Sequence, residues 1–173
     1  PPEGAMFPDG RVPRTAAALS VYSLSGLAHK AVVVKTDPSL DLCLIKIGAA
    51  AKQVIELSPT PPEPGDRVYT MSAPLGTFDP AGMLLMFQGL YSGSTFANPS
   101  PMALYGGEPA RFDSYTIPSK GGSSGSPILN EAGQLVGVTS MALSNFENMC
   151  LSPNFEGLRN FVQEALTSIY AGG

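Results

Sequence analysis

Apolar residues along this chain fall in short clusters separated by turn-forming residues. Residues 31–36 (AVVVKT) and 42–47 (LCLIKI) are apolar and rich in β-branched side chains, and Asp37, Pro38 and Ser39 lie between them, which predicts two neighbouring strands. Further strands are predicted at 19–23, 67–71, 84–91, 114–117, 127–129, 135–140 and 148–152. Asn130, Glu131, Ala132 and Gly133 form the hairpin turn between residues 127–129 and 135–140. Residues 1–18 carry turn signals without a sustained period, and residues 58–66 hold four prolines, so both segments are expected to be loops, the second extended and exposed. The period then changes. From Phe155 onward Leu158, Phe161, Val162, Ala165, Leu166 and Ile169 recur every three or four residues, which predicts an amphipathic helix ending near Gly172. No internal sequence repeat is visible.

Composition narrows this picture. The chain has 173 residues, 43% hydrophobic and 14% charged, enough for one domain or two small barrels and unlike a disordered tail or a coiled coil. With 19 Gly and 17 Pro spread along its length, an all-β sandwich or barrel is expected. Ten Lys and Arg against fourteen Asp and Glu give a net charge of −4 without a basic run, so nucleic acid is not an expected partner. No stretch approaches the ~20 apolar residues of a membrane span and no signal core opens the chain, which reads as soluble, in an unspecified compartment. Pro1-Pro2-Glu3-Gly4 reads like the inside of a loop, so further sequence is expected ahead of Pro1. Cys43 and Cys150 lack C-x-x-C spacing and read as free thiols; no metal-ligand cluster is present, and neither a metal nor another cofactor is expected.

The chemistry concentrates in Gly121-Gly122-Ser123-Ser124-Gly125-Ser126-Pro127. Its glycines permit a tight turn that presents the Ser124 hydroxyl, with the backbone N–H groups of Gly122 and Ser124 able to face one concavity as an oxyanion hole. A plain Gly/Ser loop is the alternative reading of these residues by themselves. The segment matches G-x-S-G-(G/S)-P and is followed by the hairpin Pro127-Ile128-Leu129 and Leu135-Val136-Gly137-Val138, an arrangement that resembles chymotrypsin-like (trypsin-like) serine proteases. Upstream, residues 37–46 resemble the D-x-x-x-D-L-A-L-L-K pattern of that family, with Asp41 in the position of the triad aspartate. Gly65-Asp66-Arg67-Val68, Ser72-Ala73-Pro74-Leu75-Gly76 and Gln88-Gly89-Leu90-Tyr91-Ser92-Gly93 are similar to stretches of the bacterial HtrA-type (Deg) branch, while the Ser loop is equally similar to some viral polyprotein proteases. The resemblance runs in order over residues 31–170.

It implies an all-β, chymotrypsin-like double β-barrel with a C-terminal helix, the first barrel incomplete: residues 1–62 as the remainder of the N-terminal barrel, 63–154 as the C-terminal barrel with the Ser loop, and 155–173 as the helix. It implies a serine endopeptidase that forms an acyl-enzyme on Ser124, with Asp41 orienting the His that takes the Ser124 proton. The difficulty is the His. His29, the sole histidine, stands twelve residues before Asp41, separated from it by a strand of six residues or about 20 Å. The expectation is that the catalytic His lies upstream of Pro1; a noncatalytic binding or structural module, viral for example, is the alternative, and His29 as an unusual base is a third. The resemblance further implies that a polypeptide substrate binds as a β-strand along Ser140, Met141 and Ala142. Its specificity pocket would be based near Pro118 and Ser119 and walled by Met141 and Ala142, taking a small or medium apolar side chain. Ser123 stands where digestive relatives carry an Asp that pairs with a new N-terminus, so activation of that type is not expected. Oligomeric state is not legible.

Overall fold

A computed structural model of the chain describes residues 19–23, 25–50, 53–76, 84–97, 110–142 and 148–171. The opening loop expected at residues 1–18 lies outside them, as does most of the segment after Ala97.

Strands β1 (Leu19–Tyr22), β2 (Ala28–Asp37) and β3 (Leu42–Ile47) form an antiparallel three-stranded sheet in that order. β2 and β3 are the neighbours that their β-branched runs and intervening turn predict, with a bulge between Val33 and Lys35. Because directly paired residues share a face, Leu42 and Leu44 lie on one side of the sheet, and Val33, Ile45 and Ile47 on the other. The first side packs on the C-terminal helix. On the second, Val33 is 56% and Ile45 36% exposed, whereas Ala31, paired with Ile47, is buried.

Seven further strands make a second sheet in the order β8-β7-β4-β5-β6-β10-β9. They are β4 (Arg67–Ser72), β5 (Leu85–Ala97), β6 (Ala110–Tyr115), β7 (Pro127–Leu129), β8 (Leu135–Val138), β9 (Met141–Ala142) and β10 (Cys150–Pro153). The sheet curls until its ends meet: Val138 N–H donates to Ser152 Oγ at 2.9 Å, and Ser140 N–H to Leu151 O at 2.9 Å. Inside this barrel Val68, Tyr115, Ile117, Ile128, Val136 and Cys150 pack together, and the Tyr115 hydroxyl donates to Val136 O at 3.1 Å. The architecture is the expected chymotrypsin-like β-barrel fold with a C-terminal helix. No helix among the described residues is long and apolar enough to cross a membrane.

Two strands depart most from the sequence expectation. β5 runs on past Tyr91 to Ala97, because its register with β6 shifts between Tyr91 and Gly93 and pairing then continues. β6 correspondingly occupies 110–115 and not 114–117; Ile117 is buried as a core residue after the strand ends. At Gly89 a Cβ would fall 2.4 Å from Thr116 O, so the two chains approach there only because residue 89 has no side chain.

Helix α1 (Phe155–Ala171) begins where several otherwise orphaned groups find partners. Asn154 Oδ1 accepts from Gly157 N–H at 3.1 Å, and the buried Asp113 carboxylate accepts from Phe155 N–H at 2.8 Å and from Ser94 Oγ at 2.7 Å. Leu158 and Phe161 then pack with Leu42 of β3, while Lys35 of β2 lies 4.9 Å above the Phe161 ring and 2.6 Å from Glu164. The helix therefore carries the first sheet on the second. Asp113→Ala leaves the Phe155 N–H buried without an acceptor, and urea unfolding is expected to register a loss of about 2–3 kcal/mol.

Candidate active site

The turn after β2 is shaped by Asp37, whose Oδ1 accepts from Ser39 N–H at 3.0 Å, Ser39 Oγ at 2.6 Å and Leu40 N–H at 3.2 Å. The Ser39 hydroxyl bond, with the backbone bonds and Lys35 adding to it against partial burial, holds the Asp37 carboxyl below the usual carboxylate range. That turn brings Asp41 round in a left-handed conformation, φ 55°. An Asp tolerates this backbone better than most residues.

From the second sheet, the loop of residues 120–126 is pinned at both ends. Ser123 N–H donates to Lys120 O at 2.9 Å, Gly125 N–H to Thr139 O at 2.7 Å, and Thr139 N–H to Ser126 O at 2.9 Å. Ser123 is buried and Ser124 exposed, so the loop presents the hydroxyl that its glycine pattern predicts. Gly122 has φ +98°, which only glycine adopts readily. Among the described residues neither Gly122 N–H nor Ser124 N–H has a protein acceptor.

One residue joins the two halves. Ser140 Oγ donates to Asp41 Oδ2 at 2.6 Å, and Ser140 O accepts from Ser124 Oγ at 3.2 Å. Asp41, Ser124 and Ser140 border one cavity of about 510 Å³, walled otherwise by apolar residues such as Leu44, Leu135 and Phe161. Among the described residues no Lys, Arg or His lines it. His29 is far away: it pairs with Val21 near the start of β2, and the eight residues from there to Asp37 span about 26 Å of strand.

The remaining site residues separate. Pro118 and Ser119 line a second cavity of about 340 Å³ with Pro74, Leu75, Phe87, Lys120 and Asn148, whereas Ser140, Met141 and Ala142 are not among its lining. Met141 and Ala142 form β9, the terminal strand of the seven-stranded sheet, paired with β10 alone. The sequence reading placed Ser140 on the substrate strand and missed that its hydroxyl meets Asp41; a Ser at the end of a strand carries no local signal for a contact 99 residues away.

Residues 7–138 match the family model described as the trypsin-like peptidase domain. The chain belongs to that family. In fold, this trypsin-like peptidase domain is similar to the Rv3671c protease of M. tuberculosis in its active form (TM-score 0.67, 17% identity, 83% of this chain and 61% of that one). It is also similar to the inactive form of that protease (TM-score 0.68, 16% identity, 84% and 71%) and to a serine endoprotease of Yersinia pestis (TM-score 0.65, 19% identity, 86% and 48%). The chain thus spans between 48% and 71% of the length of these structures. A search of the curated proteins gave no sequence match.

The two thiols differ sharply. Cys150 is buried in the barrel core, and desolvation pushes its thiol up to about 12, whereas Cys43 is exposed on β3 and lines the larger cavity. A thiol reagent at pH 8 is expected to modify Cys43 alone in the native trypsin-like peptidase domain and both cysteines in urea, read as one and then two added masses.

Proposed function

We propose that this domain is the Ser124-bearing part of a serine endopeptidase, in which Ser124 Oγ attacks a peptide carbonyl and Asp41 orients a His supplied by sequence upstream of Pro1. The observation that carries the reading is the single-residue link from the Asp41 carboxylate through Ser140 to the Ser124 hydroxyl, at the rim of a cavity that no His lines among the described residues. An imidazole seated there takes the Ser124 proton as the tetrahedral intermediate forms and returns it to the leaving amine. Gly122 and Ser124 supply N–H donors for the intermediate's oxygen, and water then releases the acyl group from Ser124. The partly exposed apolar face of the first sheet supports an additional segment: Val33 and Ile45 remain exposed there, as expected of a barrel wall whose other strands come from elsewhere.

A polypeptide substrate adds to the free edge of β9 as a further strand, which gives affinity through the backbone and little dependence on sequence. No acidic side chain among the described residues lines the cavity holding Pro118 and Ser119, in keeping with a small or medium apolar residue before the cleaved bond and not Lys or Arg. The second reading is a module that keeps the fold without the reaction, and it is favoured by the distance of His29 from the site.

The test is to extend the chain upstream through the parent reading frame and measure peptide hydrolysis and fluorophosphonate labelling. Labelling is expected on Ser124, with Ser124→Ala lowering kcat on the order of 10⁶-fold and Asp41→Asn about 10⁴-fold. An extended chain that carries a His yet neither cleaves nor labels overturns the endopeptidase reading, as does a parent gene without that His. Cleavage of a peptide library chiefly after Lys or Arg overturns the specificity.

A further inference from the structure

The oxyanion-forming loop rests on a turn within the Ser72–Gly76 stretch, to which the sequence resemblance gives no role. After β4 the chain makes a one-turn 3-10 segment, Pro74–Gly76, closed by Gly76 N–H donating to Ala73 O at 3.0 Å. At its centre Leu75 adopts φ 56°, ψ 23°, a left-handed conformation that costs a non-glycine residue about 1–2 kcal/mol and that leucine lacks the short polar side chain to offset. Packing of its side chain does not explain the strain, because Leu75 is 76% exposed. Its main chain does something specific: Leu75 N–H donates to Gly121 O at 2.6 Å. Immediately before the turn, Ser72 Oγ is buried and has no hydrogen-bond partner among the described residues, a second local cost in the same five residues.

The consequence follows from peptide geometry. Gly121 C=O and Gly122 N–H belong to one planar trans unit and point in opposite directions. With the carbonyl held on Leu75, the Gly122 N–H is turned away from the 3-10 turn and left without a protein acceptor. The approach is close: a Cβ on Gly122 would lie 2.7 Å from Ala73 O and 3.3 Å from Leu75 N. Rotating the 121–122 peptide by half a turn would break the Leu75 bond and exchange the positions of carbonyl and N–H, so that an acceptor replaces the donor.

We propose that the Pro74–Gly76 turn is a latch for the oxyanion hole and that Leu75 is its positioning residue, acting through its backbone N–H and not its side chain. The inference rests on the Ser124 reading above and adds the element that fixes the polarity of the 121–122 peptide. In a trypsin-like peptidase domain with Ser123 where digestive relatives use a charged pair, this neutral bond takes over part of the ordering.

Two measurements test it. Amide hydrogen exchange on the chain itself is expected to show Leu75 N–H protected despite the exposed side chain, while Gly122 and Ser124 N–H exchange freely. Leu75→Gly, which keeps the N–H and removes the left-handed strain, is expected to raise the Leu75 protection about tenfold. In the upstream-extended, His-bearing protein, replacing Leu75 by its α-hydroxy acid removes that N–H and weakens the Pro74 carbonyl as an acceptor while keeping both side chains; kcat is expected to fall about 10²-fold with KM unchanged, the pattern of a donor lost only from the transition state. A Leu75 amide that exchanges as fast as an open one overturns the latch, and so does an ester variant with unaltered kcat beside an active parent. If the extended parent cleaves nothing, the endopeptidase reading fails, and the exchange pattern alone decides the latch.

Discussion

Everything at the site depends on Ser140 facing two ways. Its hydroxyl holds the carboxylate that ends the first sheet, and its carbonyl holds the hydroxyl presented by the second. A hydrogen bond to a charged acceptor contributes about 1.5–3 kcal/mol, and for the exposed Asp41 the lower end applies. That is modest beside the core of either layer. Its value is geometric, since it fixes the separation of Asp41 and Ser124 without a residue of either sheet having to bridge the cavity. Ser140 is held in turn by Ser140 N–H on Leu151 O, so the bridge is tied to the place where the barrel closes.

The first sheet has no closed core of its own. One face lies on α1 through Leu42, Leu158 and Phe161, and the other leaves Val33 and Ile45 exposed. A sheet with one face covered is held by whatever covers it, here the helix, which starts on Asp113 and Asn154 of the second layer, together with Leu135 and Val138 of β8. The position of Asp41 is thus set by a chain of contacts that runs from the barrel core through the helix start, along Leu158 and Phe161, and into β3. Lys35 extends the seam by meeting both Phe161 and Glu164 from β2.

Much of this was legible in the chain. Strands β2 and β3 are β-branched runs around a Pro-containing turn, the helix has a clear three-four period, and the glycines around Ser124 require the turn they form. What failed to show was long-range or carried by the backbone. The register shift at Gly93 lengthened β5 and moved β6 toward the N-terminus, because a bulge depends on the partner strand and not on the residues within one strand. The apolar period of α1 extended to Leu166 and Ile169, yet both are exposed. Leu75 lies in the resembling Ser72–Gly76 stretch, yet nothing there signals its conformation: leucine is a poor choice for a left-handed turn, and its role is carried by an N–H that every residue but proline possesses.

Ser123 shows why such backbone ordering suits this domain. An Asp buried at that position would need a cation to offset its desolvation, and that cation would have to arrive with a change elsewhere in the chain. A serine there needs only neutral partners. Its N–H reaches Lys120 O at 2.9 Å, its carbonyl accepts from Ser126 N–H at 3.1 Å, and Gly121 O is taken up by Leu75. Each of these bonds is within or between loops already positioned by β4, β7 and β8, so the loop's order follows from folding of the second sheet. Completion of the site is then a matter of filling the cavity beside Asp41, and not of reshaping the loop that carries Ser124.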